Sequence, residues 1–178
     1  MAGRGFRAKI LGFDPYVSQS EMAEHGVEKC ELQDLLSRSD FVSMHCVLNE
    51  ETKHIVGEQE LAAMKCSAVL INVSRGALVD EVALVAALEN GEIAGAGLDV
   101  FSQEPLSLTG HAMSPLYSMP NVILLPHFAF YTHESMERLT QDTIDRCREI
   151  LAGEIVTIKS SDPRLQGQQN CVYPRQAD

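Results

Sequence analysis

The sequence has no tryptophan, and aromatic residues make up only 6% of it. It also has no C-x-x-C pair. The five cysteines (Cys30, Cys46, Cys66, Cys147 and Cys171) are odd in number and scattered, which leaves no zinc or redox motif and makes a reducing cytoplasm the expected setting. Basic charge is scarce: 14 Lys and Arg stand against 25 Asp and Glu, a net charge of −11. The absence of a basic cluster to displace counterions argues against direct nucleic-acid binding and, for the same reason, against an anionic membrane surface. Apolar runs such as AVLINV and VILLP fall far short of the roughly 20 residues that span a bilayer. No charged segment followed by an apolar one opens the chain, so no secretory leader is expected. The rest is an ordinary globular composition, 45% hydrophobic and 22% charged over 178 residues. That is roughly one domain, able to bury about 70% of its unfolded surface without a disulfide or metal staple.

Short β-rich runs alternate with helical patterns, the signature of βαβ units and a parallel sheet. Strands are expected at 9–13, 27–30, 41–47, 68–73, 93–100 and 121–125, several apolar nearly throughout, as in strands covered on both faces. Helices are expected over SQSEMAEHG, LQDLLSRS, the segment around Gly57–Met64, and DEVALVAALENG. The last opens on an acidic turn and closes before a glycine, and Val82, Ala83, Val85, Ala86 and Leu88 form its apolar stripe. A long helix follows over 132–152, stopped by Gly153, with Met136, Leu139, Thr143, Ile144, Cys147 and Leu151 on its apolar face. The tail beyond it has no periodicity and is expected to lack a fold of its own.

Four motifs carry chemistry. In GFDPY a strand ends on Asp14, which resembles the second strand of a dinucleotide-binding fold, where the carboxylate accepts the adenosine ribose hydroxyls. An acidic residue there favours NAD over NADP, whose 2′-phosphate it would repel. Taken alone, Asp14-Pro15 reads first as a turn. In INVSRGALVDEVAL a buried strand turns at Ser74–Gly76 into a helix, placing Arg75 at a strand's carboxyl end. Open α/β sheets bind ligands along that edge. A guanidinium there offers a planar fork to a substrate carboxylate; a surface ion pair is the plainer alternative. In GAGLDVFSQEP a strand ends near Asp99, and Glu104 follows in the loop. In NVILLPHFAF a strand ends at Pro126-His127. A glutamate holding one imidazole nitrogen fixes the ring and raises its basicity, as a proton donor and acceptor requires. Singly, Glu104 and His127 read as surface or cap residues; with Arg75 they follow three successive strands.

The stretch NVSRGALVDEVALVAALENGEIAGAGLDVFSQEP with LLPH resembles the nucleotide-binding domain of the D-2-hydroxyacid dehydrogenase family, over about Phe6 to Gly153. DPYVS, SDFVSMHCVLNEETKHIV, PHFAFYTHES and NCV are similar to the C-terminal binding protein branch, which holds transcriptional corepressors and bacterial dehydrogenases. The resemblance implies a Rossmann-like, doubly wound parallel sheet and NAD as cofactor. It implies that Arg75 binds and polarises a small 2-oxo or 2-hydroxy acid, that His127 is the acid/base, and that Glu104 is its partner. Asp14 would hold the ribose; Cys46, Val47, Asn49, Val73 and Ser74 would line the cofactor groove; Asp99 would meet the nicotinamide amide. Phe130 stands where that branch carries an aromatic wall, which implies a larger or more apolar substrate. A homodimer is also implied.

The glycine fingerprint that precedes such an acidic residue by roughly 20 positions is missing, since Asp14 has only thirteen residues ahead of it. GRGF has no strand before it and is not a phosphate loop. In the order 3-2-1-4-5-6, strand 1 is central, so its absence leaves two flanking strands with no shared neighbour and a row of unpaired backbone groups on each. The expected organisation is a partial NAD-binding domain over 1–153 and a tail over 154–178 that would return to a substrate domain. The expected function is D-2-hydroxy acid oxidoreduction, inactive in this chain alone. The alternative is a nicotinamide-sensing protein of corepressor type. His45 and His54 are not spaced as metal ligands, no metal site is expected, and no cation beside Cys46 marks it as reactive.

Overall fold

A computed structural model describes residues 7–106 and 110–153, Gly5, and the backbone of the pairs 155–156 and 171–172. By compactness the chain divides into two units, Met1–Phe128 and Ala129–Asp178, an earlier division than the boundary read at residue 153.

The first unit holds six strands: β1 (Ile10–Gly12), β2 (Val27–Lys29), β3 (Phe41–Met44), β4 (Val69–Asn72), β5 (Gly95–Leu98) and β6 (Val122–Leu124). All lie within the ranges expected, and all pair in parallel. They form two sheets, one of β1–β2 and one ordered β3-β4-β5-β6. Among the described residues the edge strands are β1 and β2 of the first sheet and β3 and β6 of the second. The segments that follow β1 and β3 meet where the Tyr16 hydroxyl donates to the Glu51 carboxylate at 3.4 Å.

Helices α1 (Gln19–Glu24), α2 (Leu32–Arg38), α3 (Glu58–Ala63) and α4 (Glu81–Glu89) connect the strands. Three of the four starts have a local cause. Ser18 and Glu21 form a capping box on α1, the Glu60 carboxylate accepts the Gly57 N–H ahead of α3, and Asp80 accepts the N–H groups of Val82 and Ala83 on α4. The core joins Val42, Met44, Leu70, Ala96 and Leu98 of the sheet to Leu36, Leu61, Leu84, Leu88 and Leu116. Two expectations are corrected here. Strand β3 is not covered on both faces, since Val42 and Met44 are buried while Phe41 is 71% exposed, whereas Gly95, Ala96 and Leu98 of β5 are buried on both. On α4 the buried residues are Leu84, Val85, Ala87 and Leu88, whereas Val82 and Ala86 face outward. That helix is apolar nearly all round, so periodicity alone does not choose its inner face.

In the second unit, α5 (His133–Ala152) begins on Thr132, whose hydroxyl accepts the Ser135 N–H, and ends on Gly153 in the left-handed conformation at φ 69°. Glycine takes that conformation without a Cβ clash. None of the residues on its expected apolar face is buried; Leu139 and Leu151 are 56% and 74% exposed. The tail is not wholly without structure, because β7 (Ile155–Val156) and β8 (Cys171–Val172) pair antiparallel. No helix of the described residues is long and apolar enough to cross a membrane.

Candidate active site

Because β3 to β6 are parallel, the segments that follow them emerge along one edge of the sheet. These are Cys46–Asn49 after β3, Ser74–Arg75 after β4, Asp99–Glu104 after β5 and His127 after β6.

The Ser74–Arg75 turn is braced from below by Asn72. This side chain is 1% exposed; its carbonyl oxygen accepts the Ser74 N–H at 3.1 Å and its amide donates to the Arg75 carbonyl at 2.9 Å. A buried amide meeting both backbone groups of one turn gives the turn a single conformation. The Ser74 hydroxyl donates to the Cys46 carbonyl at 2.7 Å, tying the β3 and β4 loops together. Arg75 is exposed, with Nη1 donating to its neighbour's carbonyl. Gly76 follows, and a Cβ built on it would lie 1.9 Å from the Phe101 carbonyl carbon. Only a glycine lets the β4 turn press against the β5 loop this closely.

Beyond β5 the carboxylates do the work. Asp99 is 2% exposed and accepts the Phe128 N–H at 2.6 Å. Glu104 accepts the Phe101 N–H through one oxygen at 2.9 Å and meets His127 Nδ1 with the other at 2.8 Å. His127 sits at φ 59°, a left-handed backbone costing about 1 kcal/mol or more for such a residue. The Asp99 bond one residue later restrains that turn. Glu104 and His127 border a cavity of about 590 Å³ whose other walls are mainly apolar, including Phe101, Leu106, Tyr117 and Leu124.

The hydrogen bond from His127 holds the Glu104 carboxyl below the ordinary carboxylate range, and the Phe101 N–H adds to the effect. A lowered folded-state value means that this contribution to stability is present above the unfolded value. It is lost as pH falls through the folded one. Glu104→Gln is therefore expected to melt below the unaltered chain at neutral pH and to converge with it as pH drops below about 4.5. Melting temperature against pH for both proteins is the check; a gap that stays constant into acid would refute the coupling.

Asp14, after β1, accepts the N–H groups of Tyr16 and Val17 through one oxygen, so the turn reading of Asp14-Pro15 holds in the structure. Its charge lies close enough to Cys46 to add to the effect of burial, which pushes that thiol up. Val47 is 61% and Val73 38% exposed, and Asn49 accepts the Glu51 and Thr52 N–H groups. This set suits a dinucleotide in kind: a carboxylate for ribose hydroxyls and outward-facing apolar side chains for flat rings. Phe130 belongs to the second unit, is 52% exposed and packs edge-on against Tyr131. His45 pairs with Ser43, and His54 lies 3.9 Å from Asp80. Three residues escaped the sequence reading: Asn72, Gly76 as a packing site, and Glu81, whose carboxylate accepts the Ser102 N–H at 2.6 Å. The only signal for Asn72 was a polar residue inside an apolar strand.

Residues 2–129 match the family model described as D-isomer specific 2-hydroxyacid dehydrogenase, NAD binding domain. The chain is 44% identical over 152 residues to the glyoxylate reductase of Korarchaeum cryptofilum, covering 85% of this chain and 45% of that protein. It is 44% identical over 149 residues to glyoxylate/hydroxypyruvate reductase B of Escherichia coli O1:K1, covering 84% and 41%. Among solved structures, D-lactate dehydrogenase with NAD+ from Lactobacillus jensenii superposes with a TM-score of 0.75 at 31% identity, over 85% of this chain and 48% of that one. The chain thus spans less than half the length of each of these relatives. Their names are those of reductases and a dehydrogenase, so the narrower placement in the C-terminal binding protein branch gains no support from them, nor does the corepressor reading.

Proposed function

The chain belongs to the D-isomer specific 2-hydroxyacid dehydrogenase family, whose NAD binding domain it carries, and on that premise we propose that it supplies the cofactor-binding and proton-transfer half of an NAD-dependent reductase of small 2-oxo acids. The observation that carries this reading is the 2.8 Å pairing of Glu104 with His127 on the sheet edge that also bears Arg75.

Bound NADH supplies the hydride. The rest falls to side chains. Arg75 offers two parallel N–H donors to the substrate carboxylate and draws charge from the adjacent carbonyl. Glu104, ionised at neutral pH, has no proton to give, so Nδ1 of His127 must donate to it. Proton exchange with the substrate oxygen then falls to Nε2. In reduction the imidazolium would deliver that proton to the carbonyl oxygen and be left as neutral imidazole, and in oxidation the imidazole would take it back from the hydroxyl. Asp14 is assigned to the adenosine ribose, the Cys46–Asn49 and Val73–Ser74 segments to the groove, and Asp99 to the nicotinamide amide. Glyoxylate and hydroxypyruvate, the acids in the relatives' names, are the first substrates to try. We assign the reaction to the cytoplasm, supported by free thiols at Cys30, Cys46, Cys66 and Cys147, and to a homodimer, which sedimentation tests.

Thermal unfolding with and without NADH is the primary experiment. A ligand at about 100 times its dissociation constant adds about 2.7 kcal/mol to the state it binds, on the order of 10 °C for a domain of this size. The midpoint is expected to rise accordingly with NADH and less with NADPH. An unmoved midpoint would overturn the assignment of cofactor binding to this chain.

A further inference from the structure

We infer that Glu81 is a positioning residue for the proton-transfer pair, acting on Glu104 through the backbone of Ser102; the inference rests on the reading of Glu104 and His127 as that pair. Glu81 is the first residue of α4, behind the cap residue Asp80. A carboxylate there sits favourably at the positive end of the helix. From that anchored place its Oε1 accepts the Ser102 N–H at 2.6 Å, a short, charge-assisted bond. Ser102 lies two residues before Glu104 in an exposed stretch with no regular structure.

The loop is gripped at successive points, by different elements. The Phe101 side chain is buried, and its carbonyl lies against Gly76. Its N–H goes to Glu104 itself. The Ser102 N–H goes to α4. Glu104 is therefore held by a backbone fixed from outside the loop, and both its oxygens are directed, one to Phe101 and one to His127. Remove the grip of α4, and Ser102 has to find another acceptor, which lets Glu104 swing from the imidazole. Displacements on the order of 1 Å at supporting positions are known to cost about 100-fold in rate. The bond from Glu81 goes to the main chain of Ser102, and its influence is through that main chain.

The readout is the tautomer of His127. While Glu104 accepts from Nδ1, neutral His127 carries its proton on that nitrogen; released from Glu104, the ring shifts toward the Nε2–H form. Ring nitrogen resonances of the ¹⁵N-histidine-labelled 178-residue chain, at about pH 8, above the ordinary histidine range, report this directly. His127→Asn identifies the signal among the six histidines. The Nδ1–H form is expected to dominate in the unaltered chain and to lose its majority in Glu81→Ala. Glu81→Gln, which keeps an Oε1 acceptor, is expected to retain it, as is Glu89→Ala at the far end of the same helix. An unchanged tautomer in a folded Glu81→Ala protein would overturn the inference. Equal shifts in the Ala and Gln variants would overturn it too, because the cause would then be loss of charge rather than of the Ser102 bond. Should Glu81→Ala fail to fold, hydrogen exchange at the Ser102 amide of the unaltered chain decides: slowed exchange supports the grip and unprotected exchange refutes it. None of these measurements needs NADH or turnover. A melting midpoint that NADH leaves unmoved would sink the proposed function while leaving the hold of Glu81 on Glu104 standing.

Discussion

Gly76→Ala is expected to lower the melting temperature by about 10 °C, whereas Gly97→Ala is expected to change it by less than 2 °C or so. The new methyl at position 76 would stand 1.9 Å from the Phe101 carbonyl carbon, 2.2 Å from the Ser102 nitrogen and 2.4 Å from the Phe101 oxygen. All three are backbone atoms, so no side-chain rotation relieves the overlap, and the β4 turn or the β5 loop has to move. Overpacking of this kind costs about 1–3 kcal/mol and occasionally more. With main-chain atoms on the far side, the upper end applies, about 3 kcal/mol, which gives the stated shift for a domain of this size. At Gly97 nothing lies within 4 Å of the added carbon, and the residue sits inside a strand, where Ala is no worse than Gly. Calorimetry of the two variants makes the comparison. Equal midpoints would mean that the two loops do not press together as described. The Gly76 variant should also lose NADH-linked stabilisation in part, because the turn it displaces carries Ser74 and Arg75.

Much of this was legible in the residues themselves. Strand positions followed from short apolar runs, and the helix ends from Ser18, Asp80, Thr132 and Gly153, each a local effect. The Glu104–His127 pair was foreseen because both residues end up at strand termini on one edge, and parallel topology brings such termini together. What escaped was contact between distant main chain and side chain. Glu81 and Ser102 are 21 residues apart, and no periodicity connects them. Gly76 reads as a turn glycine, and its real constraint is the Phe101 backbone passing over it. Val82 reads as core because valine is apolar, yet α4 is apolar on several sides and the sheet buries Leu84 and Leu88 instead. Sequence patterns locate elements; which of several apolar faces turns inward is settled by tertiary packing.

Under the proposed function, His127→Asn is expected to have the largest effect on chemistry, cutting 2-oxo acid reduction by the reductase that contains this domain by about 100- to 10,000-fold, the range for loss of a general acid. Asparagine is the informative choice. His127 has a φ of 59°, a conformation that asparagine tolerates better than most residues, so the substitution removes the ring without adding backbone strain. The bond from the Phe128 N–H to Asp99 can therefore persist and keep the turn in place. The amide cannot release a proton near neutral pH, so the loss falls on the chemical step: kcat drops, while KM for the acid, whose binding is assigned to Arg75, is expected to stay within a few-fold. NADH should still raise the melting temperature by the same amount, since His127 is assigned no part in cofactor binding. Transfer of deuterium from 4-deuterated NADH to a 2-oxo acid such as glyoxylate, followed by mass spectrometry, resolves slow rates in both proteins. Arg75→Lys supplies the complementary pattern, a raised KM from loss of the planar fork with a smaller fall in kcat. If His127→Asn transferred deuterium within threefold of the unaltered chain, the proton would have to come from another group. The strained histidine would then be explained by its bond to Glu104 alone.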